Sequence, residues 1–148
     1  MTLVPWPGRP EDIRLIDVQK MQIGQVSETI LSTDWDANYL RLYSRTLKLG
    51  DKPLAILGVT PVREGYGHGW ALIGETILKY PKELTKHAIQ HVEKAHSMLQ
   101  LRRMDITVDC KHKEAYRWAN FLGFHEEGYM RSYGLNGEPA YLMARIWL

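Results

Sequence analysis

The sequence predicts an α/β protein: one mixed central sheet with helices on both faces and a C-terminal hairpin. Three observations carry this. Residues 54–59 (LAILGV) and 70–73 (WALI) are nearly continuous apolar runs, as in strands covered on both faces. A long stretch opened by Pro81 then repeats apolar residues at helical spacing. The chain closes on two strand-like segments, 124–133 and 140–147, joined by the turn-forming link 134–138.

Residues 1–11 read as an irregular arm, because Pro5, Pro7, Gly8 and Pro10 interrupt any regular pattern. Residues 12–148 then form a single domain. Residues 12–17 read as a short first strand built on Ile13, Leu15 and Ile16. Residues 18–31 space Val18, Met21, Val26 and Ile30 as a helix, which Gly24 weakens. Ser32, Thr33 and Asp34 make a break and a cap. Residues 35–49 read as a second helix with Trp35, Tyr39, Leu42, Tyr43, Thr46 and Leu49 near one face, stopped by Gly50. After the strands at 54–59 and 70–73, Pro81 fits the first position of a long helix. Leu84, Ala88, Val92, Ala95 and Leu99 line one side of it. Residues 103–110 alternate Met104, Ile106, Val108 and Cys110 with polar neighbours, and 113–122 form a short helix.

Composition narrows the function classes. A chain of 148 residues suits one domain with one sizeable core. The net charge of +2 and the lack of a recognisable binding motif argue against a nucleic-acid partner. The single cysteine, Cys110, allows no intrachain disulfide and no cysteine metal cluster, and fits a reducing compartment. It reads as a core thiol. His87 and His91 share a helix face but have no acidic ligand beside them, so no metal site is expected. Adjacent Glu126 and Glu127 point to opposite faces of a strand and make no carboxylate pair. No segment reaches membrane-spanning length, so a soluble, cytoplasmic protein is expected. The tryptophans Trp6, Trp35 and Trp147 are candidate docking anchors.

Residues 111–128, KHKEAYRWANFLGFHEEG, resemble the closing helix and turn of the GNAT superfamily of N-acetyltransferases. That family's motif commonly runs Asn, Ala three residues on, an apolar residue, Tyr, and a final Leu-Gly-Phe. Here His112 stands at the Asn. Ala115, Trp118 and Leu122-Gly123-Phe124 match without a gap. The predicted element order also resembles the family's, with one strand fewer before the long helix. A narrower resemblance, carried by 53–59 (PLAILGV), the Trp70 strand and 123–129 (GFHEEGY), is to GNAT-like proteins of tailed bacteriophages. It implies a virion-associated structural or host-interaction role with protein partners.

The resemblance implies acetyl-CoA as cofactor and direct transfer to an amine, with no covalent enzyme intermediate. It also exposes departures. The family's glycine-rich phosphate turn is absent: no glycine lies between Glu75 and Tyr116. Phosphate contacts would fall to the start of the Pro81 helix, with Lys79, Lys82 and Lys86 as cations and Thr85 as a hydroxyl. The position of the family's acid tyrosine is Ala119, which leaves Tyr116, three residues earlier, as the substitute. His68 and Glu75, flanking the 70–73 strand, are the candidate bases. A strand amide at Leu72 or Ile73 would stabilise the oxyanion. These departures favour a non-catalytic or weakly active GNAT-like module over a divergent acetyltransferase. An enzyme requires the strand ending near Gly74 to splay from residues 103–110. The cleft between them must not be plugged by Tyr80 or Trp118.

Overall fold

The computed structural model describes residues 2–19 and 36–148. Among these residues, strands β1 (Val4–Pro7), β2 (Ser44–Leu49), β3 (Lys52–Arg63), β4 (Tyr66–Ile73), β5 (Arg103–Asp109), β6 (His125–Met130) and β7 (Ala140–Ile146) form one sheet. Their spatial order is β1-β2-β3-β4-β5-β7-β6. Only the β4–β5 pair is parallel, so the sheet is mixed as expected. Helices α1 (Pro10–Leu15) and α2 (Ala37–Tyr43) cover one face. Helices α3 (Pro81–Leu99) and α4 (Lys113–Phe121) cover the other.

The first third of the chain differs from its local reading. The arm at 1–11 contains β1, an edge strand antiparallel to β2. Its Pro5 and Pro7 are tolerated because an edge strand has one unpaired side. Residues 12–17 are not a strand; α1 occupies 10–15, with Pro10 in its first turn and Asp12 accepting the Arg9 amide at 3.1 Å. The helix expected over 35–49 ends at Tyr43. Asp36 caps it, accepting the amides of Asn38 and Tyr39, and Ser44 closes it by donating to the Leu40 carbonyl at 2.6 Å. Residues 44–49 are strand because they fill the space between β1 and β3, where Ser44, Thr46 and Leu47 are buried. Four strands therefore precede α3, one more than the three expected. The helix read over 18–31, its cap at 32–34 and Trp35 lie outside the described residues, except Val18, which bridges Gly74, and Gln19.

The rest follows its periodicity. β3 carries a buried run from Pro53 to Val59. α3 presents Leu84, Ala88, Val92 and Ala95 to the sheet. α4 ends at a turn that requires glycine: Gly123 has φ +96°, and Phe124 donates to the Ala119 carbonyl at 3.0 Å. Trp6 is half exposed on the β1 edge, 5.6 Å from the Lys48 ammonium. Trp147 is spent inside the domain, stacked on His96 of α3 at 4.5 Å.

Candidate active site

The sheet opens where β4 and β5 part. They pair only at Tyr66–Arg103, Gly67–Met104 and His68–Asp105, although β4 runs on to Ile73 and β5 to Asp109. The expected splay is therefore present. Side chains alternate across it. Trp70 and Leu72 pack with Ile13, Leu40 and Ile56 under α1 and α2, so His68 shares that face. Ala71 and Ile73 face α3.

The last paired rung carries a His–Asp dyad. His68 Nδ1 lies 2.7 Å from Asp105 Oδ1. Tyr66 donates to Asp105 Oδ2, and Arg103 approaches the same oxygen at 3.4 Å while pairing with Glu127 at 2.8 Å. Asp105 is nearly buried, whereas the His68 side chain is 36% exposed. Burial pushes the Asp105 pKa up. Hydrogen bonds from Tyr66, His68 and Arg103 outweigh that and hold it below the usual carboxylate value. An ionised Asp105 keeps the proton of a neutral His68 on Nδ1. The Nε2 lone pair is then left free of the dyad.

On the opposite side of the opening lies a cavity of about 150 Å³. Its walls come from β3, β4, β5, α3 and α4, including Trp70, Met104, Trp118 and Phe124. Trp118 forms a wall without filling the cleft, and Tyr80 is not among the lining residues. Two imidazoles line it, His91 of α3 and His112 at the start of α4. Burial lowers the His91 pKa from 6.5 to about 4; a hydrogen bond with the Gly58 backbone opposes burial, and Arg45 and Lys94 reinforce it. The unfolded chain therefore takes this proton first. The associated stability is intact above 6.5 and is lost as the pH falls towards 4, by about 3 kcal/mol. Thermal melts between pH 7 and 4 should show this loss, reduced in His91→Gln. Identical pH slopes in the two proteins would refute it.

The connection from β4 to α3 departs from a phosphate loop. A 3-10 turn over Thr76–Lys79 replaces the glycines. The Asp17 carboxylate takes both the amide and the hydroxyl of Thr76, so an internal anion occupies that position. Burial raises the Asp17 pKa, but the Thr76 hydrogen bonds and the charge of Lys52 bring the net shift downwards. Lys79, Lys82 and Lys86 are exposed around the start of α3. Thr85 accepts from Trp118 Nε1 at 3.0 Å, so its side chain is turned to α4.

The other expected residues are dispersed. Leu54 and Gly74 pair through the Gly74 amide at 2.9 Å, and ladder alternation turns the peptide groups of Leu72 towards β3 as well. Ile73 faces the β5 side, where its carbonyl accepts from Gln19 at 3.0 Å. The edge of β4 at Ile73 and Gly74 is thus covered by residues 17–19. Tyr116 is not a cavity residue. Its hydroxyl donates to Glu126 at 2.9 Å, and its ring packs edge-on against Tyr141 at 5.2 Å. Glu75 is seven residues along from His68, about 23 Å of extended chain, and is exposed near the α3 end of the sheet. Burial raises the Cys110 thiol pKa, which opposes a nucleophilic role.

Asp105, Tyr66, His91 and His112 escaped the reading of the chain as site residues. Asp105 occupies a polar position of the 103–110 alternation, like Thr107 and Asp109, so nothing in the chain marked it out. Among the described residues, no group of three or more side chains is placed to hold a metal ion, and no helix is long and apolar enough to cross a membrane.

No family model matches this sequence, nor does any curated protein. Solved structures do. A chain of the NatC complex bound to Gag peptide and CoA is 16% identical over 100% of both chains, with TM-score 0.72. The IAA acetyltransferase from Bacillus cereus ATCC 14579 is 14% identical, covering 99% of this chain and 100% of its own, with TM-score 0.71. The ribosomal-protein-S18-alanine N-acetyltransferase from Escherichia coli is 18% identical, covering 98% and 94%, with TM-score 0.67. With its mixed sheet, flanking helices and closing hairpin, the chain has the GNAT acyl-CoA transferase fold.

Proposed function

We propose that this chain is a divergent acetyl-CoA-dependent N-acyltransferase that acts on an amine by direct transfer. The observation that supports it is the His68–Asp105 dyad at the rung where β4 and β5 part. Acetyl-CoA would supply an acyl group activated as a thioester. The residues fit it in part. The cleft between the strands carries two buried imidazoles that offer polar contacts. Lys79, Lys82 and Lys86 would hold the phosphates through charge rather than through a glycine turn.

Asp105 orients the His68 ring, and His68 Nε2 accepts the proton of the attacking amine. The C–N bond forms as the C–S bond breaks. Tyr116 supplies no acid in this scheme, because Glu126 holds its hydroxyl.

A second reading rests on the β4–α3 connection. There Asp17 takes the donors of Thr76 and no glycine permits close phosphate approach. It favours a non-catalytic module with protein partners, of which a bacteriophage structural or host-interaction protein is one form; self-association would fit the same role. Calorimetric titration with acetyl-CoA and desulfo-CoA separates the two. Micromolar binding of both, weakened at least tenfold in the Lys82→Ala/Lys86→Ala double variant, is expected of the enzyme. Undetectable binding at millimolar ligand would leave only the module.

A further inference from the structure

We propose that Tyr66 is a positioning residue for His68: its hydroxyl fixes the Asp105 carboxylate, so that the other carboxylate oxygen sets the tautomer of the His68 ring. The catalytic consequence rests on the acyltransferase reading, whereas the positioning itself is a property of the resting protein.

The strand register brings these groups together. Tyr66 and His68 are two residues apart on β4 and so share a face. Across the parallel pair they stand against Arg103 and Asp105 of β5. Asp105 Oδ1 meets His68 Nδ1 at 2.7 Å, and Tyr66 donates to Asp105 Oδ2. The Asp105 side chain is only 6% exposed, so solvent has little access to replace a lost donor.

Arg103 competes for the same oxygen, and distance decides against it. Its Nη2 is 3.4 Å from Asp105 Oδ2 but 2.8 Å from Glu127 Oε1 on β6. Charge-assisted hydrogen bonds ordinarily run at about 2.7–2.9 Å. The guanidinium is therefore committed to Glu127, and Tyr66 is the principal holder of Oδ2.

The tyrosine is itself held. The Arg63 guanidinium lies 4.9 Å from its ring centre, and that of Arg103 lies 5.5 Å away. Both contacts are with the ring and neither needs the hydroxyl. The hydrogen bond to Asp105, burial and the Asp105 charge raise the Tyr66 pKa, with Arg103 opposing. The hydroxyl thus keeps its proton and stays a donor through the neutral range. Without that donor the carboxylate is drawn towards Arg103 and away from Nδ1. Part of the His68 population then carries its proton on Nε2, where the ring cannot accept one from an amine.

The test compares Tyr66→Phe with the unmodified protein by NMR of the His68 ring nitrogens, with the ring neutral. Phenylalanine keeps the ring and both guanidinium contacts, so the fold should stand. The unmodified ring should be protonated on Nδ1, and the Tyr66→Phe ring should show a mixture of tautomers. The kcat for acetyl transfer should fall about 10–100-fold, the range for a hydrogen bond to a charged group, with KM for acetyl-CoA unchanged. Arg103→Gln is the second variant and should shift the tautomers less than Tyr66→Phe. The reverse order would overturn the proposal and give the positioning to Arg103. An unmodified ring with no preference for Nδ1 would also overturn it, as would a Tyr66→Phe ring unchanged from the unmodified one. The enzyme reading fails separately, if the tautomers shift as expected but no acyl transfer depends on His68.

Discussion

Replacing His68 with Ala is expected to lower kcat/KM for acetyl transfer by about 10²–10⁴-fold, the usual contribution of a positioned general base. The loss should fall on kcat, because His68 stands at the opening of the strands on the α1/α2 face, away from the α3 lysines. Affinity for acetyl-CoA should be unchanged in the variant. Asp105→Asn gives a sharper version of the same experiment. The dyad holds Nδ1 at 2.7 Å from a carboxylate oxygen. An amide there can donate as well as accept. It would stabilise the tautomer with the proton on Nε2, where the base needs its lone pair. Asp105→Asn should therefore lose nearly as much activity as His68→Ala, and the double variant little more. Additive losses would mean that the two residues do not act as a unit. Rates in both variants equal to those of the unmodified protein would remove the catalytic role of the dyad, though not the fold.

The second large effect concerns stability. Asp12 is fully buried and ties α1 to β2. Its Oδ2 accepts from the Thr46 hydroxyl at 2.7 Å and from the Arg9 amide at 3.1 Å, and its Oδ1 lies 3.1 Å from Arg9 Nη2. Asp12→Ala strips a buried hydroxyl of its acceptor and removes both the cap and the partner of Arg9. The sum of these terms is about 4 kcal/mol. Most of it belongs to the stranded Thr46, since Arg9 is half exposed and gains solvent in exchange. Urea unfolding should show the midpoint falling with little change in slope. Thr46→Val placed on top of Asp12→Ala should restore part of the loss, because the unsatisfied hydroxyl is then gone. If the two losses add, the hydrogen bond is not what holds α1.

The later two thirds of the chain were legible because their signals are local. Pro81 with apolar residues every third or fourth position specifies α3 by itself. The Leu122-Gly123-Phe124 turn is readable because only glycine enters the left-handed region at low cost. The first third was not legible, for a specific reason. Residues 44–49 carry a pattern that fits either a helix face or a strand, and the choice was made by the vacancy between β1 and β3. Similarly, Ile13 and Leu15 alternate as in a strand. A buried Asp12 paired with Thr46, 34 positions away, holds them in a helix.

The site divides in the same way. The residues of a phosphate loop are missing at the level of sequence, and so is the acid tyrosine at 119; no structure was needed to see either. His68 was visible as a candidate base beside a buried strand, but its partner was not. Nothing near it in the chain orients it, and Asp105 lies 37 positions on. Tyr116 illustrates the converse: its spacing suggested a catalytic acid, and β6 took its hydroxyl. The sequence by itself determined the layers of the fold and the chemistry that is absent, because periodicity and residue type are local properties. Only the tertiary structure decided which side chains meet at the opening of the sheet. That meeting depends on the register of β4 against β5 and on the cavity that their divergence leaves.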